Sequence, residues 1–207
     1  IINMSIAGDD LPVQVTHIPG ITRVRYTNSN KQDVRLVTAG EDHLVRLLPS
    51  EPTATDVIPL VMEDATQNIS WIEANSKYLV TASEDGAVRL YQHALQSEDD
   101  PQKATSCIRM VRREVLPVRC VSLERATESP RAAICSDELI IRVASVEDPR
   151  QITLLTGHTR GVRAASWSPI LPLLVSCGSD GDIRVWDMSS SEGSCVKVIS
   201  NQLPALR

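Results

Sequence analysis

The sequence predicts an all-β chain built of four successive four-stranded antiparallel units. Three observations predict it. A twelve-residue pattern recurs four times without gaps, a second apolar pattern precedes each copy, and polar turn-forming stretches separate the apolar runs.

The copies run from Val37 to Leu48, Val80 to Tyr91, Ala133 to Ala144 and Val175 to Trp186. In each, an apolar strand enters a tight turn of acidic, glycine or polar residues and leaves as an alternating strand, which is the signature of a β-hairpin. On the outgoing strand Val45/Leu47, Val88/Leu90, Ile141/Val143 and Ile183/Val185 alternate with Arg46, Arg89, Arg142 and Arg184. A period of two sets the apolar residues on one face and the arginine on the other.

A further strand precedes each hairpin. Its apolar residues are Ile21/Val24/Tyr26, Ile69/Ile72/Ala74, Val118/Val121/Leu123 and Val162/Ala165/Trp167, always spaced i, i+3, i+5. The change from odd to even spacing predicts a β-bulge. Each stretch is too short for a helix and leads directly into a hairpin. Cys107 to Val111 and Cys195 to Ile199 are candidates for the fourth strand of their units. Val13 to Ile18 is a candidate for an outer strand closing a ring with the last unit.

Anchored on the arginines, the copies repeat at intervals of 43, 53 and 42 residues. Such periods are those of four-stranded propeller blades. The long interval contains a polar insertion at 92–106, expected to be an exposed loop. The expected organisation is one propeller domain over 1–207, with blades at about 20–58, 59–111, 112–155 and 156–200. The Ile1 start and the four copies suggest a fragment of a larger ring.

Composition excludes several function classes. No apolar run approaches membrane-spanning length, so no membrane partner is expected. The start, with Asp9 and Asp10 and no basic then apolar stretch, does not resemble a secretory signal. The five cysteines form no CxxC pair and read as reduced thiols. Cys120, Cys135 and Cys177 fall in strands, as small core residues do. No histidine or second cysteine sits at zinc-ligand spacing, so no metal or other cofactor is expected. The net charge of −5 and aromatic content of 3% disfavour a chain built to coat nucleic acid.

The fourth copy carries Gly157-His158, Ser166-Trp167-Ser168-Pro169 and Ile183-Arg184-Val185-Trp186-Asp187. It resembles the WD-repeat family, whose propellers usually have seven blades. That resemblance implies a buried hydrogen-bonded tetrad of His158, Ser176, Asp180 and Trp186. A hydrolase is the competing reading of a Ser, a His and an Asp. Without a Gly-x-Ser-x-Gly turn or an oxyanion loop, no catalytic residue is expected. The other copies keep Thr38/Asp42 and Thr81/Asp85, and Glu138 takes the acid position in the third; they read as lacking the His and the Trp.

Other strings point further. Pro19-Gly20-Ile21-Thr22-Arg23-Val24-Arg25-Tyr26, Leu116-Pro117-Val118-Arg119 and Ser136-Asp137-Glu138-Leu139-Ile140-Ile141-Arg142-Val143 resemble the N-terminal propeller of the chromosome transmission fidelity, SepB and acidic nucleoplasmic DNA-binding protein family. The resemblance covers about residues 17 to 200. It implies a nuclear adaptor at the replication fork, with replisome or chromatin proteins as partners and a role in sister-chromatid cohesion. That family's second propeller, which lies C-terminal to the matching segment, and the HMG box of its animal members have no counterpart here; oligomerisation would rest on such absent regions. The alternative is a generic WD-repeat adaptor, such as a ubiquitin-ligase substrate receptor or a ribosome-assembly factor.

Partner binding is expected on one rim of the disc. Glu41, Glu84, Asp137 and Ser179 precede the turn acid of each hairpin, and the three acids among them would make a negative patch. Thr22, Ser70, Arg119 and Arg163 enter the inner strands, and Trp71 is one residue further on. An arginine-rich rim with an exposed Trp71 has the composition of an interaction hot spot. Solvated turn charges and a core tryptophan are the plain alternative. Arg109, Arg112, Arg113 and Arg119 form the basic cluster available to DNA phosphates, though an ordinary exposed outer strand explains it equally.

Overall fold

The computed structural model describes residues 20–26, 35–49, 60–75, 78–92, 109–124, 129–148 and 150–200. These form four four-stranded antiparallel sheets. The first comprises β1 (Ile21–Tyr26), β2 (Arg35–Gly40), β3 (Val45–Pro49) and β4 (Leu60–Met62). The second comprises β5 (Ile69–Ala74), β6 (Tyr78–Ser83), β7 (Ala87–Gln92) and β8 (Arg109–Arg113). The third is β9 (Val118–Leu123), β10 (Arg131–Ser136), β11 (Ile140–Ser145) and β12 (Ile152–Thr156). The fourth is β13 (Val162–Trp167), β14 (Leu173–Gly178), β15 (Asp182–Asp187) and β16 (Ser194–Ser200). Strands pair in chain order within every sheet, so each sheet is an up-and-down blade.

The two sequence patterns account for this local order. In all four sheets the first two strands slip register near the bulge that the i, i+3, i+5 spacing predicts: at Ile21/Arg23, Ile69/Trp71, opposite Cys135/Ser136, and at Val162/Ala164. The bulge leaves residues 22, 70, 119 and 163 outside the ladder, where their side chains reach neighbouring blades.

Two expected boundaries move by two residues or more. Leu60–Met62 pairs with β3 and closes the first sheet, beyond the expected end at 58. The outer strand of the second sheet ends at Arg113 rather than 111. Outer strands carry neither repeated pattern, and a three-residue strand shows no periodicity. Val13 to Ile18, Cys107 and residues 93–106 of the expected insertion lie outside the described residues; Gln92 ends β7.

Blades stack face to face. The inner face of the first sheet, Val37, Ala39, Val45, Leu47 and Met62, packs on Ile69, Ile72, Leu79 and Tyr91 of the second. The second and third sheets repeat this with Val80, Val88 and Leu90 against Val121, Leu123 and Ile134. The third and fourth do so with Cys135, Ile141 and Val143 against Ala165, Trp167, Leu174 and Trp186. The equivalent face of the fourth sheet has no covering blade among the described residues. Val175 and Ile183 are 39% and 42% exposed there, where Val37 and Val45 are 0% and 1%. Cys177, expected in the core, is exposed for the same reason, whereas Cys120 and Cys135 are buried.

Polar bonds tie the seams. Thr22 Oγ1 donates to Ile69 O at 2.7 Å and Ser70 Oγ to Val118 O at 2.5 Å. Trp167 Nε1 donates to Ser122 O at 3.1 Å.

Candidate functional site

The chemistry-bearing side chains gather at one end of the sheets, where the second and third strands turn and the loop into the next first strand passes. In the fourth sheet, His158 lies at the start of this loop and is buried. Its Nδ1 lies 2.9 Å from Asp180 Oδ2 and its Nε2 2.8 Å from Ser176 Oγ. Trp186 Nε1 donates to the same Ser176 Oγ at 2.9 Å. An ionised carboxylate only accepts, so Nδ1 donates to Asp180 and the serine hydroxyl donates to Nε2. Asp180 also accepts from the amides of Thr159 at 2.8 Å and Asp182 at 3.1 Å. Burial opposes its ionisation, but these amides and His158 outweigh that and hold the carboxyl down to about 2. Gly178 is required here: a Cβ would stand 2.6 Å from both Asp180 Oδ1 and His158 Nδ1.

The first three sheets anchor the same turn differently. Arg46 Nη1 reaches Asp42 at 2.7 Å, and Arg89 binds Asp85 through both Nη1 and Nη2, at 3.2 and 2.7 Å. Burial opposes ionisation of Asp85, but Arg89 and the amides of Ala87 and Thr66 hold it well below the usual carboxylate range. In the third sheet Glu114 stands four residues ahead of Val118, as His158 stands four ahead of Val162. Arg142 Nη1 lies between Glu114 at 3.0 Å and Glu138 at 2.7 Å. In the second and third sheets, where Ala65 and Glu114 take the histidine's position, the strand arginine therefore replaces it. In the fourth sheet, where His158 holds Asp180, Arg184 turns to Asp182 at 3.1 Å. Alternation along the strand places these arginines on one face; that Arg46, Arg89 and Arg142 each reach back four residues to their own turn acid is a spacing the strand pattern alone does not reveal. His17 also stands four residues ahead of Ile21, so the first copy does keep a histidine at that position; it lies outside the described residues.

The expected negative patch is a charge ladder. Arg119 binds Asp137 at 2.7 Å and reaches Glu84 of the preceding blade at 3.4 Å. Arg163 Nη1 binds Asp137 at 3.0 Å and its Nε binds Ser179 at 2.6 Å. Arg119–Glu84 and Arg163–Asp137 cross from blade to blade, a pairing that spacing within one repeat does not reveal. Arg119 holds the Asp137 carboxyl below its usual range. Glu41 stands apart from the ladder because the matching position on the second sheet is Ser70. Trp71 is not an exposed rim residue. It is half-buried, with Arg23 stacked 4.4 Å and Arg25 5.5 Å from its ring centre. It also packs against the cores of both following seams.

A cleft of about 550 Å³ passes Trp71, Glu73, Ser122 and the open face of the fourth sheet, and is bordered by Ser176. Among the described residues no group of three His, Cys, Asp or Glu is placed to hold a metal ion. Among the described residues no helix is long and apolar enough to cross a membrane.

Residues 149–187 match the family model of the WD domain, G-beta repeat. Human striatin-4 is 32% identical over 129 residues, covering 57% of this chain and 17% of that protein. Nuclear distribution protein nudF 1 of Talaromyces marneffei is 40% identical over 68 residues, 32% of this chain and 14% of that protein. WD repeat and HMG-box DNA-binding protein 1 of Xenopus laevis is 35% identical over 63 residues, 30% of this chain and 6% of that protein. The chain thus spans less than a fifth of the length of each. The family match falls on the fourth blade and the strand leading into it, and the other three sheets share that blade's strand order.

Proposed function

We propose that the chain is a non-catalytic protein-interaction scaffold that presents its turn-bearing rim to partner proteins. One observation carries the reading: at that rim, every group of the serine, histidine and aspartate set is engaged in holding the fourth hairpin. Ser176 Oγ already bonds His158 and the Trp186 indole, and Ser176 is 1% exposed. Attack on a carbonyl needs a free, accessible hydroxyl beside preorganised oxyanion donors, which a mid-strand serine does not supply. Labelling with a serine-reactive fluorophosphonate is the test. No modification of Ser176 is expected, and stoichiometric modification would overturn the reading.

A second, finer reading is favoured by specific strings. Leu116-Pro117-Val118-Arg119 and Ser136-Asp137-Glu138-Leu139 lie on the third blade, and the Xenopus protein is a partial relative named for an HMG box and DNA binding. On this reading the chain is a nuclear adaptor joining replication or chromatin proteins. The relatives are varied in name, so a generic WD-repeat adaptor is its competitor. Direct DNA contact gains nothing from Arg119, whose guanidinium is committed to Asp137 and Glu84. Affinity capture from nuclear extract decides between them. Recovery of replisome or chromatin proteins is expected; recovery of neither returns the chain to the generic reading.

A further inference from the structure

We propose that the rim over the third blade is a docking site for a short linear peptide bearing an apolar side chain followed by an acidic one. The proposal rests on the scaffold reading and gives it a place and a partner class.

Val115 is 94% exposed, Leu139 49% and Leu116 39%. Arg142 Nη1 is shared by Glu114 and Glu138. Two carboxylates on one nitrogen bring the residues that follow them, Val115 and Leu139, onto one stretch of rim. The matching residues are Thr66 and Gly86 on the second blade, and Thr159 and Gly181 on the fourth. Aliphatic side chains at both positions are thus peculiar to the third blade in this comparison. Single exposed aliphatics are ordinary, but three on two adjoining loops, none of them buried within the chain, mark a contact surface.

The patch is preformed. Glu114 N donates to Gly86 O at 2.7 Å, and Val162 N donates to Glu138 O at 3.1 Å. Gly161 lies so close to the turn that a Cβ would stand 2.9 Å from Asp137 O. A surface clamped from both sides has little ordering left to lose when a ligand binds.

Charge selects the ligand's second feature. The loop seated on the Leu139 turn carries Arg160, which is exposed and has no acid partner among the described residues. Arg163 follows, 55% exposed, using Nε and Nη1 for Ser179 and Asp137 and leaving Nη2 without a bond among the described residues. The acids nearby, Glu84, Asp137, Glu114 and Glu138, are each paired with Arg119, Arg163 or Arg142. The uncompensated charge beside the patch is positive, so the complementary group is a carboxylate. Three side chains are too few for a folded partner, which needs about 800 Å² on each side. They suit one anchor residue of a peptide.

Selection of a phage-displayed random peptide library on the full chain tests this. Enrichment of peptides with an aliphatic or aromatic residue followed within a few positions by Asp or Glu is expected. Their binding, read by fluorescence polarisation, is expected to weaken about tenfold with Leu139→Ser and with Arg160→Glu. It is expected to stay unchanged with Glu41→Gln on the first blade. All three side chains face solvent, so melting temperatures should hold and report folding independently. Enriched basic peptides, or binding indifferent to L139S and R160E, overturn the site. So does a library that enriches nothing, whereas partners captured from extract through another part of the rim would leave the scaffold reading standing.

Discussion

In the fourth blade the turn carboxylate of Asp180 is held by a histidine that arrives from the preceding loop, and that histidine is itself held by Ser176 and Trp186. In the second blade the same carboxylate, Asp85, is held by Arg89, four residues along its own hairpin. The first arrangement threads from the rim into the core and joins two strands, the turn between them and a loop. The second takes its cation from the same hairpin, with Thr66 of the preceding loop adding its amide and hydroxyl, and it leaves the other tetrad positions without a task. Thr81 shows this. It occupies the position of Ser176, but Ala65 stands where His158 would and Tyr91 where Trp186 would. Its hydroxyl is buried with no hydrogen-bond partner. The difference teaches that the turn acid is the fixed requirement, and that either a histidine or an arginine satisfies it.

The largest test breaks the arginine form. Arg89 and Asp85 side chains are 7% and 5% exposed, so Arg89→Met strands a buried carboxylate. A loss of about 4 kcal/mol in chemical denaturation is expected, most of it recovered in Asp85→Leu/Arg89→Met. If the single variant is as stable as the parent, the arginine is not the anchor. The next test sharpens the contrast at one repeat position. Ser176→Ala orphans the Trp186 indole and one His158 nitrogen and should lose about 2 kcal/mol. Thr81→Val removes an unpaired buried hydroxyl and should gain about 1 kcal/mol. The same sign at both sites would erase the distinction drawn here. A further test concerns acid stability. The Asp180 carboxyl lies at about 2 in the fold against an ordinary 3.8. A depressed acid contributes stability that is fully present above the ordinary value and lost as pH falls towards the folded one. Asp180→Asn should therefore flatten the acid-unfolding curve between about pH 4 and 2; an unchanged slope would show that Asp180 does not drive it.

Much of this architecture was legible in one dimension. Hairpins, inner-strand bulges and the grouping of His158, Ser176, Asp180 and Trp186 follow from local spacing and from the family pattern of the fourth copy. What escaped depends on neighbours far apart in the chain. Glu84, Arg119, Asp137 and Arg163 look like independent rim charges until adjacent blades bring them together. Trp71 looks exposed until Arg23, on a different blade, covers its ring. The strand Leu60–Met62 carries no pattern of its own and becomes visible only through its pairing with β3. Glu114 reads as an ordinary loop acid until the repeat is aligned on the bulge rather than on the turn.

The stacking of inner faces has a thermodynamic consequence. Each blade packs chiefly against its sequence neighbours, so stability behaves approximately as a one-dimensional sum of blade and nearest-neighbour terms. The second and third blades each enter two such terms. Among the described residues the first and fourth enter one each, and Tyr26 and Ile183 lie exposed on their outward faces. Opening should therefore begin at the outer members of the stack and move inward, with amide exchange slowest in β6 and β10.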